Sequence, residues 1–287
     1  MRNTRLIRAR LTPLVAVAHG SRDPRAAATV SELLTVVRAR AARRGLAGLD
    51  VRAAFLDHCA PSLPQVLGSL PCEGAASDGT ARIVPLLLTA AYHSKADIPA
   101  QLAAAAAAHP GLDVACARTL GPHALLLTAL ERRLREASGA VEDDATRSQT
   151  SVVLAAAGSS DPAANATIAG LAARWARDGG WRTVVPAYAS AAGPRPAEAV
   201  SALREAGAAR VVVATYLLAP GYFADKIRDS ALGAGADAVS GTLGAAPEVA
   251  DVVVDRYLQA AGQNIGTTSN SGESHTHLGN LRRAGRL

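Results

Sequence analysis

Two stretches 138 residues apart are near copies of one another: Val15-Ala-Val-Ala-His-Gly-Ser-Arg-Asp-Pro24 and Val153-Leu-Ala-Ala-Ala-Gly-Ser-Ser-Asp-Pro162. In both, an unbroken apolar run meets Gly-Ser-x-Asp-Pro. A run without polar alternation suits a strand covered on both faces, and Gly, Asp and Pro are the residues of a turn that opens a helix. Three more landmarks recur in the same order: 61–64 against 193–196, 86–98 against 216–227 less one residue, and Thr119-Leu-Gly121 against Thr242-Leu-Gly244. The economical account is a duplicated lobe, its two halves related by a pseudo-two-fold axis with a cleft between them.

Between the landmarks of the first half, strands and helices alternate. Ala28, Val30, Leu33, Leu34, Val37 and Ala41 recur at spacings of three and four, which predicts a helix over 25–44 closed by Gly45. Strands are predicted over 49–56, 81–88 and 114–117, with a short helix after Pro61, an alanine-rich helix to 108 and another to about 138. This is an α/β pattern: two similar lobes, each a parallel sheet flanked by helices. The lobes are placed at 1–142 and 151–262, joined by a polar linker over 141–151. Residues 263–287, rich in Gly, Ser, Thr, Asn and Arg, read as a disordered tail, and the basic first ten as a solvated leader.

Composition narrows the partners. A net charge of +6 and a pI near 9.7 favour an acidic ligand. Nucleic acid is disfavoured by an aromatic content of 3%, too low for stacking platforms, and by scattered arginines. No apolar run approaches the roughly 20 residues that span a bilayer. Three cysteines without a Cys-x-x-Cys pair fit a reducing cytoplasm. Neither Gly-x-x-x-x-Gly-Lys-[Ser/Thr] nor Gly-x-Gly-x-x-Gly follows any strand, so nucleotide chemistry has no motif to rest on.

The copies differ where chemistry is concerned. His19 is replaced by Ala157 in the second half, and His93 by Phe223. A histidine required for folding would recur in both halves, so the pair is assigned to a site at the carboxyl ends of neighbouring strands, where open α/β sheets keep their ligands. Two neutral imidazoles with a nearby carboxylate suit divalent Fe, Co, Ni or Zn in open coordination, or form a pair of proton acceptors. Asp57, Asp97 and His58 are candidate third members. Each also has a plainer role: Asp57 and His58 in shaping the loop before Pro61, Asp97 in capping the helix near Pro99. Gly20-Ser21-Arg22 offers donors to a carboxylate or phosphate, and Lys95 a second anion contact.

The strand-end His19-Gly-Ser-Arg-Asp-Pro24, together with His93 and Asp97-Ile-Pro99, closely resembles the class II chelatases that act on sirohydrochlorin, in their long, internally duplicated form. The resemblance runs over 15–261. It implies an enzyme that inserts a divalent metal, Fe²⁺ in preference or Co²⁺, for siroheme or cobalamin synthesis, with no ATP or organic cofactor. It makes His19 and His93 the metal-binding and catalytic pair, with Ser21, Arg22 and Lys95 contacting the polycarboxylate substrate, in a cytoplasmic protein that needs neither nucleic acid nor membrane. A monomer is expected, because the second lobe supplies the wall a partner subunit would otherwise give. The competing expectation is a two-lobed binding protein for an acidic small molecule or metal, without catalysis.

Overall fold

Both halves build a four-stranded parallel sheet from βα units. The computed structural model describes residues 11–70, 79–90, 96–138 and 144–262. The first lobe comprises β1 (Leu14–Ala18), α1 (Pro24–Arg43), β2 (Val51–Phe55), α2 (Leu63–Gly68), β3 (Thr80–Pro85), α3 (Ile98–Ala108), β4 (Asp113–Cys116) and α4 (Ala124–Ser138). After α5 (Asp144–Gln149) the second comprises β5 (Thr150–Ala156), α6 (Pro162–Asp178), β6 (Thr183–Tyr188), α7 (Pro196–Glu205), β7 (Arg210–Tyr216), α8 (Tyr222–Gly233), β8 (Ala238–Val239) and α9 (Pro247–Gly262). The strand orders are β2-β1-β3-β4 and β6-β5-β7-β8. Even the register repeats: Leu14 lies between Val51 and Arg82, and its twin Val152 between Val184 and Val212.

The repeated Gly-Ser-x-Asp-Pro is one device made twice. Ser21 Oγ accepts the Asp23 N–H and Ser159 Oγ accepts the Asp161 N–H; each Asp then caps its helix by accepting the N–H two residues on. The proline sits at the helix start, where its missing N–H costs nothing.

The sequence reading and the fold part in three places. Residues 141–151 are not all linker: 144–149 are helical and β5 opens at Thr150, whose hydroxyl donates to Thr146 O and whose backbone pairs beside Arg210. A polar composition hid this because Thr150 and Ser151 are nonetheless buried, Thr150 by satisfying its hydroxyl locally. The strand predicted over 81–88 ends at Pro85, since the chain then bends away and Leu87 O accepts the Leu120 N–H. The second landmark is also offset by one residue. Phe55 N–H donates to Pro61 O as Tyr188 N–H donates to Pro194 O, so Pro61 corresponds to Pro194.

The lobes do not fold as separate units. α4, from the first lobe, lies against β7 and β8; α9, from the second, lies against β3, β4, α1 and α4. The inward faces of both sheets therefore share one central core, with Leu14, Ala16 and Val84 in the same cluster as Val152, Leu154 and Val212. The outward faces carry smaller clusters under α2 and α3 on one side and α7 and α8 on the other. On α9 alone, Val249, Val252, Val253 and Tyr257 are essentially buried. At about 1.5–3 kcal/mol per large apolar side chain, this burial outweighs the ion pairs beside it, worth about 0–1 kcal/mol each. Those pairs join α1 to α9 through Arg40–Asp251 and Arg44–Asp255, and α4 to α9 through Arg132–Glu248. Burial raises the Glu248 pKa, but the Arg132 guanidinium and a backbone N–H together outweigh this and hold it below the ordinary range.

Each exchanged helix also carries an arginine to the matching loop of the other lobe. Arg256 on α9 donates to Thr119 O (2.7 Å) and Leu120 O (2.8 Å), and its twin Arg133 on α4 donates to Leu243 O (3.0 and 3.2 Å). Arg256 is buried and Arg133 only half so. Arg256→Met leaves two buried carbonyls without donors and is expected to lower the unfolding free energy by about 2–3 kcal/mol, against about 1 kcal/mol or less for Arg133→Met. Urea unfolding of the two variants tests this; equal losses would refute the role given to burial.

Candidate active-site cleft

His19 follows the last residue of β1, and its position is fixed by the glycine after it. Gly20 has φ +92°, and a Cβ there would lie 1.8 Å from Asp57 O. Its twin Gly158 has φ +84°, with a Cβ 2.0 Å from Ser190 O. Asp57 N–H donates to His19 O just as Ser190 N–H donates to Ala157 O, which makes Ala157 the structural counterpart of His19. The imidazole itself is exposed.

The carboxyl ends of β1, β3, β5 and β7 converge on one cleft of about 750 Å³, within the range for a single small ligand. Its floor is apolar, with Leu86, Leu88, Ile168 and Leu218. The first lobe contributes His19, Ser21, Arg22 and His58 to the walls; the second contributes Ala157, Ser159, Asn165 and the Tyr222–Phe223 pair. Among the described lining residues, the guanidinium and imidazole groups thus all come from the first lobe. Tyr216 stands between the lobes, its hydroxyl 3.4 Å from Leu88 O, and burial pushes its pKa well up, so it stays a neutral donor.

Four of the residues singled out in the sequence, His19, Ser21, Arg22 and His58, line this cleft. Ser21 Oγ is also engaged by the Asp23 N–H, so it serves the turn first. His93 and Lys95 lie outside the described residues. Asp57 does not line the cleft: its carboxylate accepts the His58 N–H (2.7 Å) and lies 3.3 Å from His58 Nε2. Asp97 opens α3 without a cap bond from its side chain, so the capping role is not the one it plays. Among the described residues no group of three or more His, Cys, Asp or Glu is gathered as a metal cluster.

His58 is nearer the chemistry than its sequence context implied. It has φ +60°, in the left-handed region that a non-glycine residue seldom occupies, and its ring lies 6.5 Å from that of His19, nearly edge-on. The Asp57 carboxylate, by holding both the His58 N–H and its ring, supports this conformation. Nothing in the pattern Asp57-His58-Cys59 announces a left-handed residue, so spacing alone could not have shown it. The braces of the two turns also differ. In the second lobe Asn165 bonds the Ser159 backbone in both directions; in the first, Cys59 Sγ lies 3.2 Å from Ser21 O instead.

A sequence model of the CbiX family matches the chain twice, over residues 13–137 and 151–260. The chain belongs to the CbiX family. The two matches fall one on each lobe, so this CbiX-family protein is the duplicated form that its landmarks describe. Two curated relatives come from Priestia megaterium. A sirohydrochlorin cobaltochelatase is 26% identical over 213 residues, 74% of this chain and 66% of the relative. A sirohydrochlorin ferrochelatase is 28% identical over 177 residues, 61% and 63% of the two chains. The chain thus spans just under two thirds of the length of these relatives. Among solved structures, SirB from Bacillus subtilis with Fe3+ superposes with a TM-score of 0.72 at 22% identity, covering 89% of this chain and 98% of that one. The shared fold therefore extends over both lobes.

The twin glycines separate the scaffold from the site. Gly20→Ala and Gly158→Ala each force a Cβ into a carbonyl at positive φ, and each is expected to cost more than about 1 kcal/mol of stability in thermal or urea unfolding. Only Gly20→Ala moves the backbone that holds His19. Metal affinity measured below the unfolding temperature is expected to fall for Gly20→Ala and to persist for Gly158→Ala; equal loss in both would refute the one-sided site.

Proposed function

We propose that the cleft inserts a divalent metal ion into sirohydrochlorin, with Fe²⁺ or Co²⁺ as the second substrate. The observation that carries this reading is a cleft with two walls and chemistry on only one: His19 stands where the other lobe has Ala157, in a chain whose CbiX-family relatives are named for this reaction. The relatives named for cobalt and for iron are about equally similar, so the reading takes in both metals.

The insertion exchanges two pyrrolic N–H protons for one M²⁺, leaving the charge of the macrocycle core unchanged. The protein must therefore present the ion without trapping it, and must accept protons. A neutral imidazole does either. His19 and His93 form the presenting pair, and His58, held by Asp57, stands beside His19 as a further acceptor. Few ligands mean open coordination, so the ion can pass to the four pyrrole nitrogens. Arg22 at the exposed turn, with Lys95, meets the substrate carboxylates, while the leucine floor keeps water from the ring. A single chain supplies both walls.

His19→Ala is expected to slow metallation by about 10²-fold or more. Stability should stay within about 0.5 kcal/mol, because the side chain is exposed. The conversion is followed by absorption after mixing protein, sirohydrochlorin and Co²⁺. A rate near that of the unsubstituted protein would remove His19 from the site, and binding without conversion by the unsubstituted protein would leave a carrier instead of an enzyme. A protonated imidazole can neither hold a cation nor take up a proton, so the rate is expected to fall as the pH is lowered from neutral into the acid range. A flat profile across that interval would argue against imidazole chemistry.

A further inference from the structure

Tyr222 and Phe223 are out of place by ordinary burial. The chain has only two Trp, five Tyr and two Phe, and both Trp are buried in the core. Tyr222 is 72% exposed and Phe223 40%, the two exposed aromatic rings among the large hydrophobic side chains of the described residues. They are adjacent, in the first turn of α8, and both line the cleft. Their centroids are 5.6 Å apart and their planes tilted by 58°, so each ring shields part of the other from water.

Their placement is held from the opposite lobe. Gly221, just before them, passes the turn that follows His19: a Cβ there would lie 3.9 Å from Asp23 Cβ and 4.0 Å from Ser21 Oγ. One turn into α8, Asp225 meets Arg25 of α1 at 2.6 Å, and Arg25 also holds Asp23. The rings therefore belong to the second wall but are tied to the turn that carries His19. Phe223 is moreover the residue that stands where the first lobe has His93. Where the sequence of one half has an imidazole, the other half presents an aryl face.

We infer that Tyr222 and Phe223 form the platform on which the second lobe receives the flat face of the macrocycle, leaving the opposite face to the ion presented from the first lobe. This rests on the chelatase reading above and adds the division of labour between lobes. Aromatic rings are well matched to such a substrate, because a conjugated ring system offers a wide, weakly polar face with its carboxylates at the rim. An aryl group gains from stacking on that face without binding the metal. The apolar floor and the cationic Arg22 side complete the match.

The test compares three proteins by titration with metal-free sirohydrochlorin, with Co²⁺ alone, and in steady-state metallation. The double variant Tyr222→Ala/Phe223→Ala is expected to bind sirohydrochlorin about ten-fold more weakly or worse and to raise its KM in step. Its affinity for Co²⁺ alone should not change. Tyr222→Phe/Phe223→Tyr, which keeps both rings, should restore binding. Both positions are exposed, so an unchanged melting temperature is expected and confirms that folding is not what was lost. If the unsubstituted protein converts sirohydrochlorin and the double variant binds and converts it equally well, the platform is refuted and the chelatase reading stands. If the double variant loses Co²⁺ affinity as well, the rings act on the metal side and the division of labour is wrong. If the unsubstituted protein neither binds nor converts sirohydrochlorin, both readings fall together.

Discussion

The exchange of α4 and α9 is the interaction on which everything else depends. A four-stranded parallel sheet must be covered on both faces, and here each sheet borrows part of its cover from the other half of the chain. The apolar faces of α4 and α9 draw the two sheets into one core, and the arginines at 133 and 256 fix how the sheets are aligned by reaching the matching loops across it. Because the strands of both lobes then end beside one another, their terminal turns define a single cleft. The site is a by-product of the packing in this sense: the four strand ends come together because the helices behind them are shared.

On that frame the same turn is used for two purposes. Gly-Ser-x-Asp-Pro solves a backbone problem in each lobe, with a glycine at positive φ pressed against a carbonyl and a capped helix start after it. The residue just before the glycine is free of that problem. One lobe puts an imidazole there and the other a methyl group, and the fold is indifferent to which. The exposed aromatic pair at 222 and 223 follows the same logic at the end of β7, where the polypeptide need only turn and start a helix.

Much of this was legible in the sequence because the repeat is written in residues that backbone geometry demands. Glycine, aspartate and proline at fixed offsets marked the strand-to-helix turns, unbroken apolar runs marked the buried strands, and comparison of the copies isolated His19. The helix exchange was not legible, since the apolar face of α4 is the same whether it covers its own sheet or its neighbour's. Nor was the left-handed His58, whose N–H and ring both meet the carboxylate of the residue before it. The polar stretch before β5 misled for the opposite reason: Thr150 and Ser151 look like solvent-facing residues, yet Thr150 meets its hydrogen-bond needs inside the fold and both are buried.

The mutual cover of the two sheets has a further implication for how such a site could become one-sided. Two separate copies of a single lobe, trading their last helices, would enclose the same kind of cleft, but an isologous pair must place identical side chains on both walls. Any imidazole would then face its own image, and any aryl group likewise. Joining the copies through the segment that holds α5 lifts that identity. From then on a substitution in one half has no enforced counterpart in the other, and the two walls of the cleft can diverge independently within one polypeptide.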